Sequence, residues 1–429
     1  MKKLAIVVLV GLALLGGATA LVWGLNLRDE VDVTAPTAPV AATPELIARG
    51  AYLARAGNCM TCHTTRGGTP YAGGYGIATP FGTVYASNLT PDNETGIGSW
   101  SPAHFWRALH NGRSKDGRLL YPAFPYPDYT QVTRADSDAI YAYLRSLPAA
   151  AQPNRPHALR WPYSTQSALA VWRALYFNPG TYEADTAKSA EWNRGAYLVR
   201  GLGHCAACHT ARNVMGATDI KLDLAGGLIP MQNWYAPSLA SPVEAGVADW
   251  DAKHIVSLLQ TGVSPRGTAI GPMAEVVLHS TQHLSADDLG AMATFLKALP
   301  PASPNSGKAP PKAPPVDPKF AALGAKLYQQ HCVQCHGAQG QGVPGAYPPL
   351  AGNRAVTMPT AVNLVQFVLN GGYAPATAGN PRPFGMPPFV LVLGNNDIAA
   401  VLTHLRTSWG NQASPVSEFD VNRIRTGPG

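Results

Sequence analysis

The stretch Cys205-Ala206-Ala207-Cys208-His209 decides how this chain is read. Two thiols three positions apart, followed at once by an imidazole, form the attachment signature of haem c. Each thiol can add across one vinyl group of the ring, and the adjacent His can then ligate the iron from one face. The pattern recurs at Cys59-Met60-Thr61-Cys62-His63 and at Cys332-Val333-Gln334-Cys335-His336. Together the copies use all 6 cysteines, so none is left for a disulfide or an iron–sulfur cluster. One copy alone would also suit half a zinc site or a thioredoxin-like motif; the threefold recurrence argues against both. The expectation is three haem c groups held by Cys59, Cys62, Cys205, Cys208, Cys332 and Cys335, with His63, His209 and His336 on the irons.

A length of 429 residues allows about three domains of ordinary size, one per motif. Only 13% of residues are charged, while Gly (43) and Pro (39) are plentiful. That balance suits compact, turn-rich domains that carry chain around a flat cofactor. The formal charge is +7, but haem propionates would bring the holoprotein near neutrality. The basic residues are scattered, without a run of five or six, so no nucleic-acid partner is expected.

Met1-Lys2-Lys3 is followed by an uncharged, mostly apolar run from Leu4 to Leu25. Lysines ahead of such a run mean export with the start kept inside. Ala18-Thr19-Ala20 would serve as a signal-peptidase site, yet the apolar run continues through Leu21, Val22, Trp23 and Leu25. As a helix it would span about 33 Å, enough for a bilayer core of about 30 Å. A membrane anchor is the favoured reading of residues 1–25 and a cleaved signal the alternative. Either places the bulk of the chain on the periplasmic side of the inner membrane, where haem c is attached.

Residues 26–43, with Pro36 and Pro39, read as a tether. A first domain, residues 44–150, opens with Glu45-Leu46-Ile47-Ala48-Arg49-Gly50-Ala51-Tyr52-Leu53. A second, residues 189–300, opens with Trp192-Asn193-Arg194-Gly195-Ala196-Tyr197-Leu198. Arg-Gly-Ala-Tyr-Leu is thus repeated verbatim, starting ten residues before Cys59 (59 − 49) and eleven before Cys205 (205 − 194). A third, residues 317–410, begins less similarly with Leu323-Gly324-Ala325-Lys326-Leu327-Tyr328. In each the apolar spacing predicts a helix leading into the haem motif. Each also closes on an amphipathic helix: Asp138 to Pro148, Asp288 to Pro300, and Asp397 to Trp409, with Asp favouring the N-terminal dipole. A haem-bearing helix crossed by a closing helix is how small cytochrome c domains pack. The fold expected is mainly α, with three tandem class I cytochrome c-like domains behind an N-terminal hydrophobic anchor or signal. Residues 151–188 carry Trp161, Tyr163, Trp172, Tyr176 and Phe177 and read as a packed connection. Residues 301–316 hold Pro301, Pro304, Pro310, Pro311, Pro314 and Pro315 and read as an extended linker. The tail, 411–429, reads as a surface strap.

A six-coordinate iron of this kind commonly takes a Met thioether opposite the His. Pro383-Phe384-Gly385-Met386-Pro387-Pro388 offers Met386, 50 residues after His336 (386 − 336); Met358 lies too early. Gly271-Pro272-Met273-Ala274-Glu275 offers Met273, 64 residues after His209 (273 − 209). Met292 falls in the closing helix and reads as core, and Met215 follows its own motif too closely. The first domain departs from this pattern. Its loop, Arg118-Leu119-Leu120-Tyr121-Pro122-Ala123-Phe124-Pro125-Tyr126-Pro127, has Phe124 in the Met slot, and Met60 is trapped between two thiols. His110 or His104, a Met from another domain, or nothing is left as the distal group; His110 is the named candidate.

With these motifs the chain resembles the membrane-bound triheme cytochrome c subunit of bacterial periplasmic dehydrogenase complexes. The resemblance covers roughly residues 45–410. It is carried by Thr79-Pro80-Phe81-Gly82-Thr83-Val84-Tyr85, Asn88-Leu89-Thr90-Pro91-Asp92, Thr95-Gly96-Ile97-Gly98-Ser99-Trp100 and the stretch from Gly271 to Thr281. It implies an electron-transfer subunit that passes electrons from a separate catalytic subunit, of PQQ, flavin or molybdenum type, through the haems to ubiquinone or another membrane acceptor. Alcohol-oxidising members carry Met where Phe124 stands; members with Phe there resemble cytochromes paired with other dehydrogenases, molybdenum-dependent ones included. Some members reach the membrane through a C-terminal amphipathic segment, which is not evident here. Two other readings stay open: a haem enzyme with an open first iron doing peroxidase-like or quinone chemistry, and an electron-delivering subunit of a terminal oxidase.

Overall fold

A computed structural model describes residues 1–34, 41–301 and 315–427. Most of the Pro-rich linker and part of the tether lie outside the described residues. The chain forms two compact units, one of Met1–Ala184 with Arg200–His204, the other of Asp185–Val199 with Cys205–Gly429. Both are mainly helical, with small antiparallel hairpins between the helices. The largest sheet pairs Gly76–Thr79 with Gly82–Tyr85, and the latter with Ala158–Leu159.

One construction occurs three times among the described residues. An entry helix leads to each haem motif and is crossed by a closing helix: Pro44–Ala56 by Arg134–Arg145 in the first unit, then Ala190–Ala196 by Ala286–Lys297 and Pro318–His331 by Asn395–Thr407 in the second. The glycine of each entry helix marks the crossing. A Cβ on Gly50, Gly195 or Gly324 would fall inside van der Waals contact with the carbonyl oxygen of Ala139, Ala291 or Ala400 of the closing helix. Only a missing side chain lets the two backbones approach so closely. The Arg before two of these glycines reaches the same partner. Arg49 pairs with the buried Asp136 carboxylate, and Arg194 holds Asp288 bidentately, at 2.7 Å from both Nε and Nη2. The repeated Arg-Gly is therefore a packing device.

The closing helix of the first unit starts earlier than the sequence reading places it. Thr133 caps it by accepting from the Asp136 backbone N–H. Asp138 then lies one turn in, accepting from Arg134 at 2.9 Å as an i,i+4 pair.

Two segments are better packed than their composition indicates. The tail contains a helix, Glu418–Thr426, capped by Ser417 through a capping box. Its Val421 and Ile424 are buried with Val416 in the apolar core around Val365, Ile398 and Leu402. Two apolar residues at i,i+3 in a polar stretch are too sparse to stand out in sequence. The tether also begins fixed. Asn26 and residues 28–31 dock on the first unit: Asp29 reaches His110 at 3.1 Å, Asn111 Nδ2 donates to the Asp29 carbonyl at 2.8 Å, and Arg113 pairs with Glu30 at 3.1 Å.

Inside the second unit, Arg354 joins Asp249 and the Gly246 carbonyl, both at 2.7 Å, and Asn363 exchanges hydrogen bonds with both backbone groups of Tyr235. Farther along, the fully buried Arg406 has no carboxylate partner among the described residues. Its Nη1 donates to the Val356 and Met358 carbonyls at 2.7 and 2.9 Å, and its Nε to the Ser414 carbonyl at 2.7 Å. Burial pulls its pKa below the ordinary guanidinium value. Arg406→Met should strand three buried acceptors and lower stability by about 3 kcal/mol. Urea denaturation of the second unit, with an unchanged slope and a lower midpoint, is the check.

Candidate haem sites

Each motif winds into one helical turn, Cys59–Cys62, Ala206–His209 and Val333–His336. Thiols three apart on such a turn share a face, as two thioether bonds to one planar ring require. In the first two motifs the residue before the first Cys, Asn58 (φ 52°) or His204 (φ 40°), is left-handed. Asn and His are among the residues that tolerate this conformation best. In the second motif the preceding helix widens to a π turn over Tyr197–Leu202. That turn takes up the extra residue seen in the eleven-residue spacing.

The three imidazoles are set in the same way. His63 Nδ1 lies 2.7 Å from the Ser87 carbonyl, His209 Nδ1 2.7 Å from that of Pro237, and His336 Nδ1 3.1 Å from that of Pro348. A carbonyl can only accept, so Nδ1 carries the proton and Nε2 keeps its lone pair for a metal. Burial pulls the pKa of all three rings below the usual imidazole value, against the opposing effect of these hydrogen bonds. Neutral imidazole is the form that ligates iron. The backbone clamps them too. The carbonyls of His63, His209 and His336 accept from the N–H groups of Gly73, Gly226 and Gly342 at 2.8, 2.7 and 2.8 Å. The carbonyl acceptors and glycine clamps escape a reading of the sequence, because backbone groups leave no residue-type signal.

These features fit haem c. Among the described residues no three His, Cys, Asp or Glu gather into a site for a bare metal ion. Burial pushes the Cys59 thiol up to about 12 and that of Cys332 up to about 11, with the other thiol of each motif adding to the effect. Thioether formation abolishes that ionisation.

The distal candidates divide. Met273 sits half-buried in the first turn of the Pro272–His279 helix. Met386 is half-buried on Gly385–Met386, which pairs with Gly372–Tyr373, and packs on the apolar core around Val365, Ile398 and Leu402. Met358 and Met292 are buried, while Met60 and Met215 are exposed. Phe124 lies in an aromatic group, 5.4 Å from the Tyr129 ring and 6.4 Å from Tyr126. The Tyr129 hydroxyl donates to the Gly57 carbonyl at 2.7 Å, two residues before Cys59. Both nitrogens of the buried His110 are engaged, Nδ1 with the Thr130 carbonyl at 2.9 Å and Nε2 with Asp29 at 3.1 Å, and its ring stacks on Trp106. His104 uses Nδ1 in a capping box with Ser101.

Residues 47–148 and 321–409 match the family model of cytochrome c, and each segment contains a haem motif. The chain is therefore a c-type cytochrome with covalently bound haem. It is 38% identical over 409 residues to the cytochrome c subunit of alcohol dehydrogenase (quinone) from Gluconacetobacter polyoxogenes, covering 90% of this chain and 86% of that one. It is 36% identical to the gluconate 2-dehydrogenase cytochrome c subunit of Pantoea cypripedii, covering 90% of both. It is 33% identical to the fructose dehydrogenase cytochrome subunit of Gluconobacter japonicus, covering 94% of this chain and 87% of that one. The chain belongs to the family of cytochrome c subunits of dehydrogenase complexes.

Proposed function

We propose that the chain binds three haem c groups, one at each motif, and carries electrons from a periplasmic dehydrogenase catalytic subunit to ubiquinone at the inner membrane. The observation that carries this reading is the common setting of His63, His209 and His336, each with Nδ1 tied to a backbone carbonyl and Nε2 left for iron. Bound haem supplies a one-electron couple that cycles without a substrate bond being made or broken. The protein holds each ring by two thioethers, fixes the His tautomer and shields the site. Met273 and Met386 would ligate the irons of the second and third haems. Their weak thioether donation would favour ferrous iron and raise the potential. The partner's substrate and cofactor are left open by the mixture of alcohol, gluconate and fructose names among the relatives. The Lys2–Asn26 helix, long and apolar enough to span a bilayer, supports retention at the membrane.

Pyridine haemochrome assay of matured protein should return three haems per chain. The purified chain should stay oxidised with alcohols, aldehydes or sugar acids alone and be reduced once the catalytic subunit is added. Fewer than three haems, or reduction of the isolated chain by substrate, overturns the proposal.

The first haem invites a second reading. Phe124 cannot donate, and both nitrogens of His110 are hydrogen-bonded. An iron with an open distal face would bind small ligands and could do peroxidase-like or quinone chemistry. A high-spin ferric signal from one haem in three, with rapid carbon monoxide binding, is the result that favours it; a wholly low-spin spectrum removes it.

A further inference from the structure

The Gln166–Tyr176 helix is built inside out. Its one charged residue, Arg173, is only 3% exposed, whereas Val171, Leu175 and Tyr176 are 47, 66 and 39% exposed. A surface helix in water shows the reverse, with charge outside and apolar residues in the core. The buried side is anchored by packing and hydrogen bonds. Leu169 and Trp172 pack inward, and Arg173 Nε donates to Asn26 Oδ1 at 2.9 Å, with its guanidinium over the Phe177 ring at 4.7 Å. Asn26 Nδ2 returns a hydrogen bond to the Ala170 carbonyl at 2.9 Å, and Arg28 Nη2 donates to the Phe177 carbonyl at 3.1 Å.

Those bonds seat the helix against the end of the Lys2–Asn26 helix, where Val22, Leu25 and Asn26 are the covered residues and Leu21 and Trp23 stay bare. Counted from Leu4, that final turn lies about 30 Å along the helix axis, at the far edge of a bilayer core. An indole at that level, as Trp23 provides, suits the headgroup boundary. The exposed Trp161 precedes the inside-out helix by four residues at its cap, Thr165.

We propose that the Gln166–Tyr176 helix lies on the periplasmic face of the bilayer and buries Val171, Leu175 and Tyr176 among lipid headgroups and upper acyl chains. This rests on the Lys2–Asn26 helix being retained as an anchor. Lipid is the occupant because Asn26 and Arg173 fasten this helix to the end of a membrane-length helix whose own apolar side chains are exposed. The first unit would then be held flat on the membrane by two elements, not hung from one, in the manner of an interfacial amphipathic helix.

The test uses the full matured chain in its own membrane and a photoactivated diazirine probe that partitions into lipid, followed by peptide mass spectrometry. Label is expected on residues 2–26 and on 166–176, severalfold above that on peptides bearing Val214 and Leu391, which are apolar and still more exposed. Label on 2–26 alone overturns the inference, leaves the anchor standing and points to a protein partner on the apolar face. Absence of label from both segments refutes the anchor and the inference together.

Discussion

Replacing Gly195 by Val should lower the melting temperature of the second unit by roughly 6–12 °C, the equivalent of about 3 kcal/mol. The new Cβ would press on the Ala291 carbonyl and lie 2.8 Å from the Phe295 Cβ. Both belong to the buried face of the closing helix, so no flexible side-chain end is available to move aside. The helices would have to separate, loosening the bidentate Arg194–Asp288 pair one residue away. Gly50→Val and Gly324→Val should behave alike, since Tyr143 Cβ at 2.8 Å and His404 Cβ at 3.0 Å occupy the corresponding places. Gly345→Val, at a site where nothing lies within 4 Å, controls for volume alone but not for its left-handed φ. Calorimetry together with haem content measures the effect. Wild-type melting in Gly195→Val would show that the crossing is not built on close backbone contact.

Phe124→Met should change the first haem more than any other single substitution outside Cys59, Cys62 and His63. The slot lies in a loop held by the fixed φ angles of Pro122, Pro125 and Pro127. Met fills about the volume of the lost ring and tolerates irregular surroundings. A Met-ligated first iron should show the ferric thioether charge-transfer band, lose any carbon monoxide reactivity, and rise in potential on the order of 0.1 V, within the roughly 0.8 V that axial ligands span. Redox titration of the variant against the parent resolves this, with the other two haems as internal references. An unaltered spectrum would mean that the parent iron already has a strong distal ligand from elsewhere in the chain.

The haem motifs are legible in the sequence because their chemistry is written in residue types at fixed spacing. The helices around them are legible from the repeated Arg-Gly-Ala-Tyr-Leu and the amphipathic closing segments. The purpose of the repeat is not, since a helical Gly is recognised as a contact point only when the opposing backbone is in view. Ser87, Pro237 and Pro348 escape notice for a related reason. Their contribution is a carbonyl, and they stand 24, 28 and 12 residues from the histidines they serve. His110 attracts attention as a lone helical imidazole, yet its partner Asp29 lies in a stretch that reads as a tether. The inside-out helix at Gln166–Tyr176 reads in sequence only as aromatic-rich chain, because its orientation decides its meaning and periodicity alone does not supply a direction.

The π turn at Tyr197–Leu202 bears on how such a chain tolerates insertions. In a regular helix one added residue swings everything after it by about 100° in azimuth. The Cys205 and Cys208 thiols would then leave on the wrong bearing for a ring framed by the rest of their domain. A single wide turn absorbs the addition and returns the downstream residues to phase, so Ala206–His209 still winds as Cys59–Cys62 does. The ten- and eleven-residue leaders are thus interchangeable, and the covalent geometry is insulated from a change of length in the helix that delivers it.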